Sequence, residues 1–268
     1  MPNRRWSRVA VIRLLFLLAA CGVGRAPPVS SPARAPMTPR NGLEVIGAMK
    51  RAHPSRALRS LAFTLTTTEH RADSSGPLRA RAYARLPGRF RVNRLPSSTR
   101  TGYVRDRQRL AVFESGRRIA TTNRVDLAML LAYDVFAQSI DTTIIWLDSA
   151  RVRFALARRD ELDGRPVWVV GSLGEEDTTS LQFWVDEERW RVLRVIQGDP
   201  RAPNDIVDVR FTEFTYVLDV PVPMRSMTYR NGMLALTQEV SNIAVNPSLP
   251  SSAFDLSRWR DVRQGSSR

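Results

Sequence analysis

Along most of the chain apolar and polar positions alternate with a period of two. From Ser60 onward Leu61, Phe63 and Leu65 alternate with Ala62 and Thr64, and comparable runs occupy Leu78–Leu86, Phe90–Leu95, Thr101–Val104 and Leu110–Glu114. Turn residues separate them at Ser74-Ser75-Gly76-Pro77, Pro87-Gly88 and Ser115-Gly116. Short alternating runs bounded by Gly and Pro predict strands with one buried face. Strands resume at Val152–Arg158, Pro166–Gly171, Ser180–Asp186 and Trp190–Gln197, with Asp163-Gly164 as a hairpin turn after the first. In the last third a long strand Asp205–Asp219 is followed by a break at Val220-Pro221-Val222-Pro223. Strands Met224–Arg230 and Met233–Val245 then flank Asn231-Gly232. Asn-Gly between alternating runs is the strongest short hairpin signal, because a type I′ turn needs positive φ at both central residues. About eleven evenly spaced strands argue one continuous antiparallel sheet over alternating β and α units.

Two stretches follow the helical period instead. Gly42–His53 carries Leu43, Ile46, Met49 and Lys50 at helical spacing and is closed by Pro54, which predicts one amphipathic helix. Residues 123–148 contain Val125, Leu127, Met129–Leu131, Tyr133, Val135 and Phe136, a segment apolar on most of its circumference. Such a helix is either buried in the core under the sheet or covers something apolar as a lid. Asp141–Asp148 reads as a second short helix or a loop. The expected class is therefore mainly β with a few helices.

Composition adds a basic balance and an N-terminal signal. The net charge of +15 over 268 residues is carried almost wholly by arginine, since Lys50 is the only lysine, and a coding bias explains that better than one ligand does. The arginines are spread through every segment without clustered aromatics, which argues against nucleic acid. The basic surface would favour anionic membranes or polymers. Arg4, Arg5, Arg8 and Arg13 precede the short apolar run Leu14–Ala20, and Leu18-Ala19-Ala20-Cys21 matches a bacterial lipobox. The plainer alternative is a secretory signal with a chance cysteine. On the lipobox reading, residues 1–20 are a signal peptide, Cys21 is the lipid-attachment site, and 21–41 form a Pro-, Ala-, Ser- and Arg-rich tether. Residues 42–260 are the folded domain and 261–268 a disordered tail. Gly22 after the cysteine directs such a lipoprotein to the outer membrane, facing the periplasm, by the sorting rule of enteric bacteria.

Groups for chemistry are sparse. The chain has two histidines, His53 and His70, and a single cysteine, and it has no Gly-x-Ser-x-Gly elbow and no Gly-rich phosphate loop. Acids at Asp160–Asp163, Glu175–Asp177 and Asp186–Glu188 fall in expected turns and need only solvent. No catalytic residue, metal or cofactor is expected, and the chain reads as a binding protein.

Two stretches resemble a known superfamily in their residues. Leu181-Gln182-Phe183-Trp184-Val185-Asp186 with the return strand Trp190–Arg194 is similar to the LolA/LolB superfamily of lipoprotein carriers. So is Val220-Pro221-Val222-Pro223, a hairpin, Val240–Asn246 and the linker to Phe254-Asp255. The lipobox resembles the anchored branch and the tail the soluble sorting branch. The resemblance implies a curved antiparallel half-barrel with an N-terminal helix across its mouth and a central helical lid. It further implies a monomer that binds or passes on acyl chains of lipids or lipoproteins. Its partners would be the membrane, through the anchor, and a periplasmic carrier or envelope protein. Alternation nominates Phe63, Leu65, Phe90 and Val92 for the cavity wall, then Leu181, Phe183, Val185, Val209 and Phe211, with Leu130 and Phe136 on the lid. The opposite phase would put Trp168, Trp184 and Trp190 inside, since a one-residue slip inverts every face. A rival reading is an envelope scaffold or sensor with a filled core that contacts a protein. An enzyme is the third reading, and a histidine beside a buried serine or aspartate would revive it.

Overall fold

The computed structural model describes residues 38–54, 57–71, 76–198 and 205–262. The expected signal peptide, Cys21 and most of the expected tether lie outside the described residues, as do residues 263–268 of the expected tail.

Thirteen strands form one antiparallel sheet. The first meander comprises β1 (Ser60–Glu69), β2 (Leu78–Arg85), β3 (Arg89–Arg94), β4 (Gly102–Asp106), β5 (Arg109–Glu114) and β6 (Arg117–Asn123). The second comprises β7 (Ala157–Leu162), β8 (Arg165–Val170), β9 (Gln182–Asp186), β10 (Val192–Gly198), β11 (Ile206–Val217), β12 (Val220–Arg230) and β13 (Met233–Val245). Spatial order is β6-β5-β4-β3-β2-β1-β13-β12-β11-β10-β9-β8-β7, so two meanders are joined where β1 pairs with β13.

The expected count was short for definite reasons. β6 is exposed at almost every position and so offers no apolar alternation; its pairing with β5 makes it a strand. β7 starts at Ala157 and not at Val152, because Arg151 adopts a left-handed conformation and the chain then docks Phe154 O on the Gly42 N–H at 2.7 Å. Val220–Pro223 is not a break but the start of β12. Leu218 and Asp219 both have positive φ and form a two-residue turn, with Val217 paired to Val220. That closing pair exchanges hydrogen bonds, so alternation places Pro221 and Pro223 at positions whose nitrogens point away from β11. The β13 register begins only at Arg225, and the prolines remove no ladder bond. A leucine at φ 50 is nevertheless a poor turn residue. Replacing Leu218-Asp219 by Asn-Gly is expected to add about 1 kcal/mol and raise Tm by about 3 °C in a thermal melt; an unchanged or lower Tm would refute this account of the turn.

Helix α1 (Gly42–Ala52) begins at Asn41, whose side chain accepts the Glu44 N–H at 3.1 Å. Val45, Ile46 and Met49 are fully buried, whereas Leu43 faces out. The central segment is one run of helix made of α2 (Leu127–Met129), a π-helical turn (Leu130–Asp134) and α3 (Val135–Ala137). After a short break follows α4 (Ile140–Ser149), capped by Ser139. Lys50 Nζ donates to the carbonyls of Val135 (3.1 Å) and Phe136 (2.7 Å), so a cation closes the C-terminal end of α3 and ties it to α1. No helix among the described residues is long and apolar enough to cross a membrane.

The helices cover one face of the sheet, where the main core gathers Phe63, Phe90, Phe183 and Phe211 with Leu127, Leu131 and Phe136. On the opposite face Tyr83, Val104 and Phe113 are covered by the chain after β13, through Leu249, Phe254 and Trp259. This C-terminal segment is held by Arg91, which is fully buried in β3. Its guanidinium donates to Asn93 Oδ1 (2.6 Å), to the Ala253 carbonyl (2.7 Å) and to the Arg260 carbonyl, and lies 4.2 Å from the Trp259 ring centre.

Candidate functional site

The helices do not fill the space above the sheet. Between the inner face of β1, β3 and β10–β13 and the helical run starting at Asp126 lies a cavity of about 250 Å³. Its apolar wall is Phe63, Leu65, Phe90, Val209 and Phe211, roofed by Met129 and Tyr133. Alternation explains the wall: β1 odd residues, β3 even residues and β11 odd residues share one face through the cross-strand register. The wall turns polar on β12 and β13, where Ser226, Thr228 and Gln238 also face inward.

Two further openings flank it. One of about 130 Å³ is bounded by Gly88, Arg105, Leu130, Asp134 and Trp146, and shares Phe90, Asp126 and Met129 with the first. At its rim Arg105 pairs with Asp126 at 3.1 Å. Asp134 is buried on the π-helical turn, and its carboxylate accepts the Gly88 N–H at 2.8 Å. Burial pushes its pKa up to about 7; Asp126 pushes the same way, and the Gly88 bond and Arg105 act against it. π-helical turns inside α-helices occur often at functional sites. The other opening, about 290 Å³, lies beyond Gln197 and is bounded by Gln108, Arg124, Leu127, Arg151 and Leu181.

The structure thus places five of the nominated residues, Phe63, Leu65, Phe90, Val209 and Phe211, around one cavity. Leu130 and Leu181 border the flanking openings. Val92, Phe136, Phe183 and Val185 are packed into the main core and line none of the three. Trp168 lies opposite Val185 and joins the same core, whereas Trp184 belongs to a cluster on the other face. Tyr103, Tyr133 and the polar trio of β12 and β13 were not nominated. Register alone would have found the trio, because Gln238 precedes Val240 by two and Ser226 lies opposite Gln238.

Neither histidine is hydrogen-bonded to a serine or a carboxylate among the described residues. The nitrogens of His53 meet the backbone carbonyls of Asp219 (3.1 Å) and Arg189 (2.8 Å), and His70 meets Thr237 Oγ1 at 2.8 Å. Among the described residues no group of three or more His, Cys, Asp or Glu could hold a metal ion.

No family model and no curated protein matches the sequence. Several solved structures match the shape. One, described as an outer membrane lipoprotein-sorting protein domain from Vibrio parahaemolyticus, has a TM-score of 0.54 at 12% identity and covers 80% of this chain and 96% of its own. A LolA superfamily protein from Nitrosomonas europaea gives 0.50 at 13% identity, covering 80% and 97%. A DUF1329 family protein from Desulfovibrio piger gives 0.53 at 14% identity, covering 80% and 95%. At these identities the likeness establishes a shared fold: a large antiparallel sheet with an N-terminal helix and a central helical cluster.

Proposed function

We propose that this chain is a non-enzymatic carrier whose cavity takes acyl chains of lipids or lipid-modified proteins in a bacterial cell envelope. The sheet acts as a half-barrel, the central helices act as its lid, and Cys21 anchors the protein to the outer membrane with the cavity in the periplasm. The observation that carries this reading is the cavity of about 250 Å³ walled by Phe63, Leu65, Phe90, Val209 and Phe211. Each buried methylene contributes about 0.8 kcal/mol, so an acyl chain is held without a strong polar contact. The shape of the lipoprotein-sorting domain and of the LolA superfamily protein supports the same reading. The scaffold or sensor reading calls for a filled interior, and the space beneath the lid speaks against it.

The test uses the protein expressed without residues 1–21 and purified from a bacterial periplasm. Native mass spectrometry is expected to show co-purifying lipid or acylated peptide, and the stripped protein to take up a fluorescent fatty acid. Val209 is only partly buried, so Val209→Trp fills the cavity while the fold is kept. Displacing two methylenes would weaken fatty-acid binding by about fifteenfold. A protein that carries no lipid and takes up no probe would sink the carrier reading.

A further inference from the structure

The opening beyond Gln197 differs in chemistry from the cavity it adjoins. The polar residues that border it are Gln108, Asn123, Gln197 and Ser149 together with Arg124 and Arg151. No carboxylate borders it. Many arginines of this chain are neutralised, such as Arg105 by Asp126, Arg194 by Asp208 and Arg230 by Asp205. Arg124 and Arg151 form no ion pair with a described carboxylate. Two unneutralised cations beside amide donors form a field that favours an anion.

Gln197 borders this opening and the apolar cavity alike. Its Oε1 is sequestered and has no hydrogen-bond partner among the described residues. A buried acceptor without a donor is costly, and a ligand that donates to it once the amide turns toward the opening would remove the deficit. The sequence of environments is therefore a cationic chamber, a lone acceptor, and an apolar chamber.

We infer that the site selects an anionic amphiphile: a phosphate or carboxylate head at Arg124 and Arg151, a hydroxyl or amide linker donating to Gln197, and one acyl chain against Phe63, Leu65 and Phe211. This rests on the carrier reading and names its ligand class. Arg124 and Arg151 position the head, and Gln197 marks the boundary between head and chain.

The experiment compares three probes by calorimetry on the delipidated protein: lauroyl lysophosphatidic acid, monolaurin, and inorganic phosphate. The first two share the chain and the glycerol and differ by the phosphate. Lysophosphatidic acid is expected to bind about tenfold or more tightly than monolaurin, with inorganic phosphate undetectable. The double variant Arg124→Gln, Arg151→Gln is expected to lose that preference and keep its monolaurin affinity, which also reports an intact fold. Equal binding of the two lipids to the wild type would overturn the headgroup inference and leave the carrier reading standing. Inorganic phosphate binding as tightly as lysophosphatidic acid would overturn it in favour of a free-anion site. Binding of neither lipid would overturn the carrier reading and this inference together.

Discussion

Replacing Arg91 by leucine is expected to lower the unfolding free energy by roughly 3 kcal/mol and to free the C-terminal segment from the sheet. A buried charge often contributes little when well-packed apolar residues can replace it and its partners together. Here two of the partners are backbone carbonyls, of Ala253 and Arg260, which stay in place when the guanidinium is removed. Each buried acceptor left without a donor costs about 1–3 kcal/mol. Burial already pushes the Arg91 guanidinium down to about 10, so the site tolerates the charge only because the carbonyls and the Trp259 ring surround it. Urea unfolding at neutral pH measures the loss, and limited proteolysis after β13 reports release of the segment. Arg91→Lys, which keeps the charge and loses the planar fork, should fall between the two. A leucine variant within about 0.5 kcal/mol of the wild type would show that the clasp is decorative.

The second large effect is a change in pH dependence. Asp134 has an ordinary unfolded value near 4 and is raised to about 7 in the fold, so the native state holds a proton that the unfolded chain has lost between those values. A raised carboxyl contributes stability that is complete below the unfolded value and disappears as pH climbs through the folded one. Wild-type stability should therefore carry a component falling by about 1.4 kcal/mol per pH unit from about pH 4 to about pH 7. Asp134→Asn keeps an oxygen for the Gly88 N–H and cannot ionise. It is expected to match the wild type near pH 4 and to exceed it at pH 8, by at most about 4 kcal/mol. Other carboxylates titrate in the same range, and the difference between the two proteins isolates this one. Parallel curves for wild type and variant would refute the assignment.

Alternation made most of the sheet legible, because a strand with one buried face writes its geometry into every second residue. β6 escaped because it has no buried face to write. Val220–Pro223 misled because proline signals a break, and only the register shows that these nitrogens face away from β11. The cavity was legible in phase and not in content. Phe63 and Val92 obey the same rule, yet the first borders the cavity and the second is packed into the core beside it. Ser226, Thr228 and Gln238 ran against the rule, since polar strand residues are expected to face water. Arg91 was hidden for a related reason: beside Arg89 and Arg94 nothing distinguishes the one that a distant tryptophan will bury.

The junction between the two meanders has a consequence for how the molecule is made. β1 is synthesised near the beginning of the domain and β13 near its end, yet they are neighbours in the middle of the sheet. Pairs so distant in sequence form late, because the loop between them must close before any contact rewards it. Until β13 emerges, the β1 edge has no neighbour of its own on that side, and the outer face of β2–β5 lacks the segment that Arg91 clasps. A chain still on the ribosome is thus two open sheets with a bare seam, and the domain becomes whole only when its last forty residues or so have arrived.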